Sequence, residues 1–374
     1  MASNSTLPAG FVEGSWWYYA PNKVAPIVFA VLFCITGCWH LWQNWHFKSW
    51  KSSGLFPIAG FVFVIGYSMR EVAAFYYTEI GFYMASNIIL LCSPPVFETA
   101  NLFILGRLLY YVPYHAPLHP WRFMLTFAVF QSFTESINGN GAAKATTPYS
   151  GPGEQRIGHI LMQTSLMMQI FSALCFILIA LRFEYNCRRA GIWPDKLRNS
   201  LRMVYLSCAL IHVRTIYRTI EWFEPGDHNP NDPSSFPPVL RTEAFFWVFE
   251  ASVMLTNSFL LNIFHPTRLL PTNYKVYLAP DGVTEIEGRG LGKDPRVWWM
   301  QLIDPFDVYG LFTNRDQKHN IWAQEEPNNA ITKGNLTTTT SRTDSSSDSA
   351  SEKKIDVGSW GNWRVQNELI RQVA

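Results

Sequence analysis

Arg214, Arg218 and Glu221 lie inside an otherwise apolar run of membrane length, residues 200–223. Spaced i, i+4 and i+7, they share one face of one helix. Ionised groups in a bilayer core cost about 2.5–3.5 kcal/mol each on insertion scales. A chain that accepts this three times on one helix must offer those groups partners or water. Other apolar stretches carry matching charges, and that pattern predicts a polytopic membrane protein with a charged pocket.

Seven stretches are long and apolar enough to be read as spans, given that about 20 residues cross the hydrocarbon core. They are residues 24–43, 55–75, 84–111, 123–141, 157–182, 200–223 and 243–264. Gln131, Glu135 and Asn138 interrupt the fourth. Pro94-Pro95 predicts a kink in the third. Aromatic residues make up 16% of the chain and charged residues only 16%, which argues against a soluble protein. The mean hydropathy of +0.01 is low for a membrane protein because the polar residues after 265 dilute the rest. The expected fold is all-α: a bundle of seven transmembrane helices with a polar, largely disordered C-terminal tail. The expected organisation is an extracellular segment 1–23, a membrane domain 24–265 and a cytoplasmic tail 266–374.

Loop charges set the orientation. The fifth loop carries Arg182, Arg188, Arg189, Lys196, Arg198 and Arg202, the first Lys48 and Lys51. Arg107 and Arg122 flank the third, and Arg268 and Lys275 follow the last span. Glu224, Asp227 and Asp232 mark the loop between spans six and seven. The positive-inside rule then puts the amino terminus outside and the carboxyl terminus inside; Lys23 votes the other way. Residues 1–11 lack a basic n-region, so no cleaved signal peptide is expected. Trp16, Trp17, Tyr18 and Tyr19 read as an interfacial aromatic belt. Of two glycosylation sequons, Asn4-Ser5-Thr6 would be outside and modifiable, Asn335-Leu336-Thr337 inside.

The tail contains a Ser- and Thr-rich stretch, 337–351, that cannot bury a core and suits phosphorylation. Residues 296–312, with Trp298, Trp299 and Phe306, have the composition of an interfacial segment or of an aromatic-rich loop. Six cysteines, mostly within spans, imply no disulfide framework. His115 and His119 are too few for a metal site. Gly288, Gly290 and Gly292 precede Lys293, but Asp294 stands where a phosphate loop needs Ser or Thr. No cofactor, no enzymatic activity and no nucleic-acid partner is expected. The oligomeric state is not legible.

The polar residues within the spans concentrate at one depth. Arg70 and Glu71 fall in the outer part of span two, and Glu98 near the middle of span three. Glu135 follows one turn after Gln131. Arg214, Arg218 and Glu221 occupy the outer half of span six, with Glu243 and Glu250 in span seven. Regular spacing gives each helix one polar stripe, and the stripes are expected to meet inside the bundle. Acids outnumber bases in this set, which favours a cationic headgroup. Crowding carboxylates away from water also favours keeping some of them protonated. The competing explanation is structural: Arg–Glu pairs that join helices and bind nothing.

These motifs resemble the fungal lipid-translocating exporter family, seven-span proteins linked to aminosterol resistance. The resemblance covers residues 16–271. It rests on Gly66-Tyr67 with Arg70, Leu105-Gly106-Arg107, Arg214-Thr215-Ile216-Tyr217-Arg218 with Glu221, and Glu243, Met254 and His265-Pro266. Gln131 and Asn138 stand where the family has an acid and a glutamine, and Glu250 where it has an aspartate. The resemblance implies movement of sphingoid bases, phospholipids or other amphiphiles across the plasma membrane, or resistance to toxic ones. Some relatives are similar to porphyrin transporters. The polar residues gathered by depth within the spans, Arg70, Glu71, Glu98, Glu135, Arg214, Arg218, Glu221, Glu243 and Glu250, are the expected substrate-binding residues. A seven-span receptor or membrane-stress sensor is the alternative.

Overall fold

The computed structural model describes residues 16–147 except 18, then 151–224, 237–271 and 273–288, with residues 290, 297, 300 and 304. Asn4, Tyr18, Asp227, Asp232, Asn335 and the Ser- and Thr-rich stretch lie outside the described residues. So does nearly all of 296–312.

Helix α1 (Ala25–Phe47) starts where the Asn22 side chain accepts the amides of Val24 and Ala25 at 2.8 and 3.0 Å. It ends at Lys48, whose left-handed φ of 51° turns the chain. The short α2 (Trp50–Ser53) leads into α3 (Leu55–Phe75). Gly37 and Gly60 let α1 and α3 approach: a Cβ on Gly60 would lie 3.0 Å from the Gly37 Cα. Phe33 and Phe63 stack beside them, centroids 4.4 Å apart.

The third pass breaks where the prolines predict. α4 (Ile80–Cys92) and α5 (Pro94–Tyr111) meet at Ser93, and Pro94 and Pro95 open the second segment. Neither proline can donate to the preceding turn, so the ladder lapses there. α6 (Pro120–Thr146) and α7 (Pro152–Arg189) form a tight hairpin. A Cβ on Gly158 would stand 2.4 Å from the Ala145 nitrogen, so glycine permits this approach.

α8 (Asp195–Phe223) is the sixth pass. After α9 (Pro238–Arg241) and α10 (Glu243–Phe245), a π-helical stretch Phe246–Ser252 feeds α11 (Val253–Ile263). Interhelical hydrogen bonds tie α1 to α11: Gln43 Nε2 donates to the Asn262 carbonyl at 2.8 Å, and Asn262 Nδ2 to that of Thr36 at 3.2 Å.

The described helices thus make seven long passes at the expected places. Five are long and apolar enough to cross a membrane: Ala25–Phe47, Leu55–Phe75, Ile80–Tyr111, Gly153–Arg189 and Glu243–Leu269. The other two, α6 and α8, carry the interruptions and charges read from the sequence. The exterior is apolar, with Val31, Ile65, Leu178 and Ile216 more than half exposed, while Arg214 is 1% exposed. That inverts a soluble protein's pattern. The molecule is an integral membrane protein.

Two expectations change. The tail read from residue 266 begins with ordered structure: α12 (Pro266–Leu269), then an antiparallel hairpin of β1 (Val276–Leu278) and β2 (Glu285–Glu287). Gly282, at φ +71°, makes its turn. The Asp281 carboxylate accepts from Thr284 Oγ1 and from the amides of Val283 and Thr284, which hold its carboxyl below the usual range. The hairpin covers one end of the bundle. Arg107 donates to the carbonyls of Val276 and Asn273 at 3.0 and 2.8 Å, and Lys196 pairs with Glu285 at 2.9 Å.

The aromatic belt also turns inward in part. Trp17 is 4% exposed and packs edge-on against Tyr83 at 5.0 Å. Tyr19 accepts a hydrogen bond from Arg70 at 2.8 Å. Trp16 keeps a face outward, its indole donating to the Thr78 carbonyl at 3.0 Å.

Candidate functional site

The expected site residues separate into three groups. In the first, Glu250 is fully buried in the π-helical stretch and accepts from two arginines of α8. Arg214 Nε lies 2.9 Å from both of its oxygens, and Arg218 Nε 2.7 Å from Oε2. Arg218 Nη1 donates to Glu221 at 2.7 Å. The i, i+4, i+7 spacing on α8 therefore builds one network of two arginines and two carboxylates. π-helical segments recur at functional sites because they redirect a side chain. Here the stretch carries Glu250 to the arginines.

The second group closes the end of the bundle where α1 starts. Arg70 Nη2 donates to Tyr19 and, at 3.1 Å, to Glu243. The other Glu243 oxygen accepts the Asn22 amide at 2.9 Å. The Arg70 guanidinium also lies 4.1 Å from the Phe246 ring centroid and 5.3 Å from that of Trp247. This packing joins the segment before α1, the end of α3 and the start of the last pass.

The third group differs in kind. Glu98 and Glu135 are half-buried and pair with amides rather than cations. Gln131 Nε2 lies 2.9 Å from Glu98 and 3.5 Å from Glu135. Glu135 also accepts from Gln169 at 3.0 Å and from Asn138 at 3.1 Å. Glu98 and Gln131 line a small cavity of about 40 Å³ between α5, α6, α7 and α8, with Asn101, Phe127, Phe176 and His212. A second, more open space of about 290 Å³ is lined by Gln131, Glu135, Leu55, Cys92, Pro95 and Val96. Thr99 and Gln131 belong to both walls, so the two spaces adjoin.

Glu71 joins none of these groups; among the described residues its carboxylate accepts no hydrogen bond. The stripes therefore meet inside the bundle as two ion-pair groups and one acidic group whose hydrogen-bond partners are amides.

Several contributors were not among the expected site residues. Gln169 completes the shell of Glu135. A polar chain crosses three helices, from Asn101 Nδ2 to Ser207 Oγ at 2.8 Å and on to Asn257 at 2.7 Å. Asn257 stands seven residues after Glu250, on the same face, but nothing in the sequence marks Ser207. His212 donates through Nδ1 to the Cys208 carbonyl at 2.6 Å, and Nε2 is left without a partner. His119 caps α6 by accepting the Trp121 amide at 3.3 Å. Among the described residues, no three His, Cys, Asp or Glu side chains gather as a metal site would need.

An apolar exterior around paired charges and an acidic cavity defines a polytopic helical membrane protein with an internal polar site. The sequence profile of the family described as RTA1 like protein matches residues 56–273, and the chain belongs to that family. It is similar to the lipid-translocating exporter-like protein RTA1 of Leptosphaeria maculans, 34% identical over 332 residues. That match covers 85% of this chain but 63% of the relative's length. A protein of the same name from Ajellomyces capsulatus is 29% identical, with 68% of this chain and 81% of the relative covered. Protoporphyrin uptake protein 1 of Saccharomyces cerevisiae is 25% identical, covering 67% and 91% respectively. No solved structure matches the chain.

Proposed function

We propose that this chain moves lipids or amphiphilic compounds across a membrane, with a cationic headgroup held at Glu98 and Glu135. The relatives named as lipid-translocating exporters support the general role. The observation that carries the site is the contrast between the acids. Glu250 and Glu243 already have arginine partners, while Glu98 and Glu135 face adjoining cavities with amide partners only. A buried charge must be paired. A headgroup bearing a positive charge supplies the missing partner, and Phe127, Phe176 and Val96 offer apolar surface to its chain.

In this scheme all seven passes cross the bilayer, with the amino terminus outside, in the plasma membrane. The direction is efflux, which would give resistance to toxic amphiphiles. Arg214, Arg218, Glu221 and Glu250 tie α8 to the last pass, and Arg70 with Glu243 closes one end.

The test follows a labelled long-chain amine and a labelled phospholipid between leaflets of liposomes containing the purified protein. A charge-assisted contact contributes about 1.5–3 kcal/mol, so Glu98→Gln with Glu135→Gln should slow the amine roughly tenfold to a hundredfold. An unchanged rate would remove these carboxylates from the path. No movement of either probe by the folded wild type, under any gradient, would favour a receptor or stress sensor.

A further inference from the structure

We infer that the Glu98–Gln131–Glu135 group is a proton site and that a proton bound there is exchanged for the cationic headgroup. The inference rests on the headgroup assignment above and adds the coupling ion. The geometry carries it. The Gln131 amide nitrogen serves both acids, at 2.9 and 3.5 Å, so the two carboxyl groups occupy one small space. Their remaining partners, Asn138 and Gln169, are neutral.

The charged and titratable groups around them do not balance two ionised acids. α8 offers Arg214, His212 and Cys208, and α4 offers Cys92. Arg214 is already held by Glu250, and Arg218 by Glu250 and Glu221, so that network sums to zero. His212 directs its Nδ1 proton to the Cys208 carbonyl and makes no hydrogen bond to either acid. Thiols add no positive charge. Arg214 is the nearest cation, and it is shared with Glu250 and makes no hydrogen bond to either acid; two neighbouring carboxylates so placed do not both stay ionised away from water.

The local acceptors favour the same occupant. The Gln169 and Asn101 carbonyl oxygens are buried without donors. A carboxylic O–H in this space would offer the donor that these two oxygens lack among the described residues. On arrival of a cation the carboxylic acid gives up its proton to water. The carboxylate then pairs with the cation, so charge in the site is unchanged. The reverse exchange releases the headgroup. A proton gradient across the bilayer would thus drive the amphiphile the opposite way.

Dodecylguanidinium is the probe, because its own charge does not change with pH. The full-length protein in weakly buffered detergent would be titrated with it while binding and free proton are followed together. The expected result is about one proton released per cation bound, by linkage, and none in Glu98→Gln with Glu135→Gln. Infrared spectra of the wild type should also contain a protonated-carboxyl C=O band that this variant lacks and that the probe removes. Binding without proton release would overturn the exchange while leaving the headgroup site standing. Absence of binding by folded wild type would remove both. Proton release that persists in the variant would put the proton elsewhere and end the proposal.

Discussion

Glu250 compensates two guanidinium groups while fully buried, and that fixes what its loss does. Removing one partner of a buried ion pair costs about 3–5 kcal/mol, because the other charge is left uncompensated. Glu250→Gln should therefore lower thermal stability in detergent and reduce the folded yield. Thermal unfolding beside Glu98→Gln measures this. A Glu250→Gln protein as stable as wild type would mean that Arg214 and Arg218 find other acceptors. The spacing of Arg214, Arg218 and Glu221 on one face was readable from the sequence, as was the presence of acids on neighbouring helices. Which acid meets which arginine was not, because that depends on the rotation of each helix. The π-helical stretch at Phe246–Ser252 resets that rotation just before α11. Depth placed Glu250 and Glu243 among the expected binding residues. In the proposed scheme their arginine partners leave the headgroup to Glu98 and Glu135.

At the scale of elements, the hairpin is the part that sequence patterning left out. Strands of three residues carry too little alternation to stand out in a polar stretch. The usable signal was Asp281-Gly282 between Val276–Leu278 and Glu285–Glu287, an Asp-Gly turn flanked by two short runs. Its anchor was visible too, as Arg107 at the end of the third pass, but it read as a topology charge. Arg107 is 5% exposed and gives both terminal nitrogens to hairpin carbonyls. A hydrogen bond from a charged group contributes about 1.5–3 kcal/mol. Arg107→Ala should therefore loosen residues 273–288 while the bundle stays folded, since Tyr110, Tyr111 and Lys196 hold the same segment less firmly. Hydrogen exchange should rise there and not in α3 or α11. Arg107→Lys should resemble the alanine variant, because one ammonium cannot reproduce the guanidinium's planar fork. Unchanged protection over the hairpin would mean its own packing suffices, through Val276, Tyr277 and Leu278, all buried.

At the scale of the whole molecule, the two ends of the bundle differ in charge, and the structure alters the weight of each charge. Arg107 is committed to the hairpin and Arg122 is buried, so neither presents free charge to a lipid surface. Arg182, Arg188, Arg189, Lys196 and Arg202 remain exposed around the turn from α7 to α8. That end still holds the excess of cations, and in the proposed scheme the positive-inside rule assigns it to the cytoplasm. The proposal then requires the start of α1 and the Asn4 sequon to be outside. Glycosidase treatment of protein from a eukaryotic host should reduce its mass, and Asn4→Gln should remove the shift. Protease added to intact cells should spare an epitope fused after Ala374. A digested epitope with an unmodified Asn4 would invert the chain. The exposed arginines would then face outward against the rule, and the hairpin would cover the external mouth. A proton gradient directed into the cell would still exchange through Glu98 and Glu135, because their chemistry has no preferred side. What inversion would change is which leaflet the space beside Leu55 and Val96 adjoins, and hence the side from which an amphiphile is collected.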